Sequence, residues 1–277
     1  MKNILRFGIN GNVLKTIALI AMVIDHIGFY FEPFLNVNFM LICRYIGRIA
    51  MPIFTYLVVQ GFFHTKDFKK YVLRMGLWAV ITQIVLFGLT AVNMNFVKQY
   101  AAATYISNHL NILFVYTIIL LMLKLIHKDL LIKKWTYNKN LSVKIVLVIT
   151  IIIACIFLPL DYGIEAPLLA LLFYYIEKLK INVLINTENI RKNINKIIRI
   201  NEYSIIQGAY VILLFLALVL VVVYANINIY TLFAVIPIAL YNGERGNKSK
   251  ILKNGFYLLF LIQHLLLYST AMLIMLT

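Results

Sequence analysis

Nine apolar runs succeed one another along the chain, at residues 13–31, 40–63, 71–92, 108–126, 143–160, 165–180, 204–224, 227–241 and 254–276. A helix needs roughly 20 apolar residues to cross about 30 Å of hydrocarbon, so the pattern predicts an all-α bundle of about nine transmembrane helices. The eighth run is short; read as re-entrant, it lowers the count to eight. Lys2 and Arg6 precede the first run as in a secretory leader, but no small-residue cleavage pattern follows and the run holds Asp25 and His26. It is therefore expected to persist as the first helix.

The polar connections test this division, because their charges play no part in drawing it. Lys2, Arg6 and Lys15 precede or open the first run, and 32–39 has no base. Lys66, Lys69, Lys70 and Arg74 follow the second run, and 93–107 holds only Lys98. Lysines from Lys124 to Lys144 follow the fourth run, and Asp161 and Glu165 follow the fifth without a base. Bases from Lys178 to Arg199 follow the sixth run, the seventh connection is uncharged, and Arg245, Lys248, Lys250 and Lys253 follow the eighth. Basic loops on alternate sides place the N-terminus in the cytoplasm and the C-terminus outside. The longest connection, about 178–203, is rich in Asn, Ile and Lys and suits an interfacial amphipathic helix. No connection has room for a soluble domain, so residues 1–277 are expected to form one membrane domain.

Composition agrees. Of 277 residues 63% are hydrophobic and 13% charged, and the mean hydropathy is +0.90, where a soluble domain has roughly 25% charged residues. The net charge of +16 would otherwise point to nucleic acid, but the bases lie between apolar runs rather than on a patch of a soluble module. Cys43 and Cys155 fall inside apolar runs without metal-ligand spacing and read as core residues. The expectation is a multi-pass membrane protein that binds no nucleic acid and no metal.

Function is then sought in the polar residues that the apolar runs contain, since each costs several kcal/mol in a spanning helix. The first run carries Lys15, Asp25 and His26. Lys15 and His26 are eleven residues apart, nearly on one face and about 15 Å apart in depth. Arg44 and Arg48 share a face of the second run at i and i+4. His109 and Asn111 open the fourth run, Asp161 and Glu165 edge the fifth and sixth, and His264 is midway along the last. These groups can meet in one chamber. Plainer roles stand beside the functional ones: Asp25 in a structural ion pair with Arg44 or Arg48, His26 and His264 as hydrogen bonds between packed helices, and His109 as a solvated rim residue. Asp25 and His26 are about 100° apart around the helix, so Asp25 is expected to meet an arginine rather than His26.

On the cytoplasmic rim, Tyr241-Asn242-Gly243-Glu244-Arg245-Gly246 forms a polar glycine turn followed by Lys248, Lys250 and Lys253. Backbone N–H groups beside several cations suit a phosphate-bearing ligand; a tight positive-inside loop accounts for the same composition. No GxxxxGKS loop, HExxH, CxxC pair or GxSxG elbow occurs, so those chemistries receive no support.

The segments LKTIALIAMVIDHIG (14–28), RYIGRIAMPIFTYLVVQGFFHTKDFKKYVLRM (44–75), DYG (161–163), PIALYNGERG (237–246) and GFYLLFLIQHLLLY (255–268) resemble the TraX family of integral membrane proteins, in order and across nearly the whole chain. A named member of that family acetylates the N-terminus of a conjugative pilin. The family is similar in turn to the membrane acyltransferase-3 superfamily, in which an Arg, ten residues and a His open the domain. Here Lys15, ten residues and His26 occupy that pattern; Lys keeps the charge but loses the bidentate fork of Arg. Gln60 and Gln263 also depart from the expected pattern.

The resemblance implies an acyl-CoA-dependent acyltransferase, with acetyl-CoA as co-substrate and a peptide, pilin or glycan acceptor reached at the membrane or its outer side. It implies a catalytic group of His26, Asp25, Arg48, Arg44 and His264, with His26 as general base and a spare arginine for the oxyanion. The donor would lie against Lys15, Tyr241, Asn242, Gly243, Arg245, Lys248 and Lys253. The competing class is a proton-coupled transporter using Asp25 and His26 as a relay; the absence of repeats with matching broken helices argues against it. A non-catalytic assembly protein leaves the buried charges to structural ion pairs alone.

Overall fold

The computed structural model describes residues 8–91, 101–128, 135–190, 196–225, 228–247 and 249–276, and the side chains of all of these except 184–190, 196–207, 250–253 and 276. Among them every regular element is helical, and two isolated bridges, Ile9 with Tyr241 and Leu110 with Leu160, are the extended pairings. The helices are α1 (Gly11–Tyr30), α2 (Val37–Gly47), α3 (Ala50–His64), α4 (Phe68–Ala91), α5 (Ala101–Asn108), α6 (Ile112–His127), α7 (Tyr137–Phe157), α8 (Glu165–Ile190), α9 (Lys196–Tyr224), α10 (Val235–Ala239, after a 3₁₀ stretch Ile229–Ala234) and α11 (Lys250–Leu276). Among the described residues, five stretches are long and apolar enough to cross a membrane: Gly11–Tyr30, Val37–His64, Phe68–Ala91, Tyr137–Phe157 and Asn254–Met275. Shorter apolar helices lie at Ile112–His127, Gly208–Tyr224 and Ile229–Ala239.

α1 sits in the middle, packed against α2, α3, α10 and α11. Its start is fixed by Asn10, whose side chain accepts from the N–H groups of Asn12 and Val13, satisfying donors that the first turn leaves open. Leu14 and Ala18 are fully buried. α2 comes closest because two glycines remove the side chain at the contact. A Cβ on Gly28 would stand 2.8 Å from Cys43 Cβ, and one on Gly47 only 2.1 Å from Asp25 Cβ. Small residues that let helix backbones approach are the usual means of association in lipid, where hydrophobic burial gives no preference between neighbours.

The span formed by α2 and α3 is broken at Arg48 and Ile49. Pro52 has no N–H to give to the turn before it, and the N–H groups of Arg48 and Ile49 fall back on three-residue bonds, to Tyr45 at 3.3 Å and Ile46 at 3.5 Å. α4 and α6 are braced by a buried amide pair: Asn111 donates its backbone N–H to Gln83 Oε1 at 2.8 Å and its side-chain amide to Ala79 O at 2.9 Å. At the same end the turn Leu160–Gly163 is pinned by bonds from Leu110 N–H to Pro159 O at 2.7 Å and from Asp161 N–H to Leu110 O at 3.0 Å.

Candidate functional site

Two cavities lie in line beside α1. One, of about 300 Å³, is lined by Lys15 near the start of the helix. The other, of about 90 Å³, is lined by Asp25 and His26 near its end. Met22, Phe54, Ile112, Tyr116 and Phe260 line both and form an apolar collar between them.

The Lys15 cavity collects positive charge. Arg74 from α4 and Arg245 from the glycine turn line it with Lys15, and no carboxylate does so among the described residues. Lys15 Nζ lies 5.5 Å from the Phe256 ring centroid, and the Arg74 guanidinium 5.6 Å from that of Tyr71. Two buried donors on this wall, Arg74 Nε and Gln60 Nε2, have no hydrogen-bond partner. Such orphans are rare in native interiors and call for a missing partner.

The glycine turn reaches the cavity by clasping the start of α1. Ile9 N–H donates to Leu240 O at 2.9 Å, Gly11 N–H to Glu244 O at 2.7 Å, and Asn242 N–H to Ile9 O at 3.0 Å. Gly243 and Gly246 have φ of +78° and +80°, a region that a side chain strains to enter. A Cβ on Gly246 would also stand 2.7 Å from Asn10 Oδ1. The turn therefore presents carbonyls to the α1 N-terminus and holds Tyr241, Gly243 and Arg245 at the cavity wall.

At the other end the ionised groups are paired. Arg44 Nη1 meets Asp25 Oδ2 at 2.8 Å, which selects Arg44 from the two expected partners. Arg48 Nη1 donates instead to Tyr162 Oη at 3.1 Å. Tyr162 has φ of +54°, a conformation that costs a non-glycine residue on the order of 1–3 kcal/mol and persists only where surroundings enforce it. Next to it, Asp161 Oδ1 accepts from Tyr105 Oη at 2.9 Å, while burial pushes the Asp161 carboxyl up to about 6. His109 stacks on Tyr105 with ring centroids 4.1 Å apart.

The two histidines meet here. The rings of His26 and His264 lie 4.4 Å apart between centroids, and Tyr30 Oη is hydrogen-bonded to His264 Nδ1 at 2.6 Å. His26 Nδ1 is buried without a hydrogen-bond partner, as are the amide atoms of Gln263. The chamber thus holds an unengaged imidazole nitrogen beside a second imidazole oriented by a tyrosine.

Most of the residues singled out from sequence come together. Asp25, His26 and His264 line the chamber, and Arg44 and Arg48 stand behind it through Asp25 and Tyr162. Lys15, Tyr241, Gly243 and Arg245 line the larger cavity. Asn242 is not on its wall; its side chain accepts from Glu244 N–H at 2.9 Å and shapes the turn. Lys248 and the Lys253 side chain lie outside the described residues. Sequence reasoning passed over Arg74, read as a loop charge, and Tyr30, whose signal was its place four residues after His26 on the same face.

Residues 10–269 match the family described as TraX protein. Two curated relatives match shorter stretches. The probable fimbrial assembly protein FimC, serogroup H1, of Dichelobacter nodosus is 36% identical over 70 residues, 25% of this chain and 28% of that protein. An uncharacterized protein of Rickettsia prowazekii (strain Madrid E) is 44% identical over 73 residues, 26% of this chain and 25% of that protein. The alignments thus span about a quarter of the length of each. No solved structure matches significantly. With the family match covering nearly its whole length, the chain belongs to the TraX family.

Proposed function

We propose that this protein is a membrane-embedded acyltransferase that moves an acyl group, acetyl in the simplest case, from acyl-CoA to an amine or hydroxyl of an acceptor. The observation that carries the reading is the pair of in-line cavities. One is lined by three cations and, among the described residues, no carboxylate, as a polyanionic donor requires. The other holds His26 with Nδ1 unengaged, as a general base requires. The donor's phosphates lie at Lys15 and Arg245, and its thioester passes the collar toward His26. The acceptor nitrogen or oxygen attacks the thioester carbonyl carbon and gives its proton to His26 Nδ1. The C–S bond then breaks, and the departing thiolate takes up a proton to leave as free CoA. His264, held by Tyr30, fixes the His26 ring, and Arg44 neutralises Asp25.

In this reading the bundle crosses a bacterial cytoplasmic membrane about nine times, with α6, α8, α9 and the helical stretch 229–239 added to the five long spans. The N-terminus and the Lys15 cavity face the cytoplasm, where acyl-CoA resides, and the C-terminus lies outside. The acceptor reaches the His26 chamber from the far side. The similarity to the probable fimbrial assembly protein of Dichelobacter nodosus supports a pilus-subunit N-terminus as acceptor, with a glycan as the alternative.

Purified protein incubated with radiolabelled acetyl-CoA and a candidate acceptor should release CoA and label the acceptor, and the His26→Ala variant should do neither. Full turnover by that variant removes His26 from the mechanism. A proton-coupled transporter is the second reading, and one observation favours it: a buried chain in which Tyr210 Oη donates to Glu177 Oε2 at 2.7 Å and lies 2.9 Å from Tyr56 Oη. Saturable proton-linked uptake into liposomes without acyl-CoA would decide for it.

A further inference from the structure

Arg74 is the cation of the larger cavity that no motif or spacing singled out. It comes from α4, whereas Lys15 and Arg245 come from α1 and the glycine turn, so the three bases approach the cavity from three directions. Its guanidinium lies over Tyr71 and beside Tyr257, and Tyr257 is itself stacked on Trp78 at 5.9 Å and 9°. This aromatic shelf holds the side chain in place. Among the described residues no carboxylate pairs with Arg74, and its buried Nε has no hydrogen-bond partner. Gln60 Nε2, on the same wall and in a residue only 4% exposed, is a second unsatisfied donor. Spare donors and positive charge around a cavity of about 300 Å³ point to a ligand that brings anionic oxygens. A guanidinium offers them a planar fork that the Lys15 ammonium lacks.

We propose that Arg74 grips a phosphate group of the ligand in the Lys15 cavity, so that phosphate recognition is shared between α1, α4 and the glycine turn rather than resting on the Lys15 helix. The assignment rests on the acyl-donor reading for the identity of that ligand. Its chemistry, a phosphate ester, is common to CoA and to an anionic lipid headgroup, and the experiment separates the two.

Binding is measured on the full chain in detergent for wild type, Arg74→Gln and Arg74→Lys, with CoA, with pantetheine (the same arm and thiol without phosphates), with pyrophosphate and with phosphatidylglycerol. Melting curves confirm that each variant is folded. The expected result is that Arg74→Gln weakens CoA binding at least tenfold, leaves pantetheine within twofold, and that Arg74→Lys recovers part of the loss. Equal loss for CoA and pantetheine, or no loss for either, overturns the assignment. If wild type binds no CoA but binds pyrophosphate or phosphatidylglycerol in an Arg74-dependent way, the phosphate site stands and the acyl-donor reading falls. If none of the phosphate-bearing probes depends on Arg74, the site falls as well.

Discussion

The two ends of α1 handle charge in opposite ways. Around His26, Arg44 is bound to Asp25, Arg48 to Tyr162, Tyr105 to Asp161 and Tyr30 to His264, while His26 Nδ1 has no hydrogen-bond partner. Around Lys15 three bases gather with no acid among the described residues. Like charges are held together in a poorly solvated place only at a cost, so such a cluster is best explained by a ligand that neutralises it. A paired network can hold one reactive group in a fixed geometry. In the proposed function, one end binds the donor and the other carries the reaction.

The largest expected effect strikes the reacting end. His26→Ala should lower acyl transfer by about 10²–10⁴-fold, the range of general-base assistance, while leaving acyl-CoA affinity within a factor of about two. Comparable losses in both would erase the division between the ends.

Next in size is the Asp25–Arg44 pair. Arg44→Met strands a carboxylate in a residue only 8% exposed, and removing one partner of a buried pair costs roughly 3 kcal/mol. The melting temperature in detergent should fall accordingly and recover by at least half in the Asp25→Asn/Arg44→Met double variant. Strictly additive losses would show that the pair is not coupled.

At the binding end, Lys15→Met should raise the KM for acyl-CoA about tenfold, or about 1.4 kcal/mol, with kcat and the acceptor KM little changed. A fall in kcat alone would move Lys15 into the chemistry.

The smallest effect concerns Asp161. Its carboxyl is raised from 3.8 to about 6, so the fold favours the neutral form. The resulting stability is complete below about pH 3.8 and is lost as pH rises through about 6. Asp161→Asn stays neutral throughout. Its melting temperature should match wild type near pH 4 and exceed it modestly at pH 7, and parallel curves would remove the carboxyl as their source.

Much of the candidate site is legible from α1 alone, because Lys15, Asp25 and His26 stand on one helix whose pitch fixes their spacing. The partner of Asp25 is not. Arg44 and Arg48 are equivalent in the sequence pattern, and only packing gives Arg44 to Asp25 and Arg48 to Tyr162. His264 has a weak signal for a similar reason: a lone His on an apolar helix gains meaning only when α11 lays it against His26 and Tyr30. Arg74 was concealed by its own sequence context, where a base among lysines reads as topology.

The helical, membrane-spanning character of the chain, and the placement of a cation, a carboxylate and an imidazole along one helix, are properties of the sequence alone. Both follow from local quantities, the length of apolar runs and the rise per residue. Packing was needed to choose the arginine that neutralises Asp25, to bring two histidines together, to make Asn242 shape the turn instead of lining the cavity, and to join Arg74 to Lys15. Those outcomes depend on where glycines admit close packing and where a proline breaks a span. Pairwise approach of distant segments is the quantity that a one-dimensional pattern does not encode.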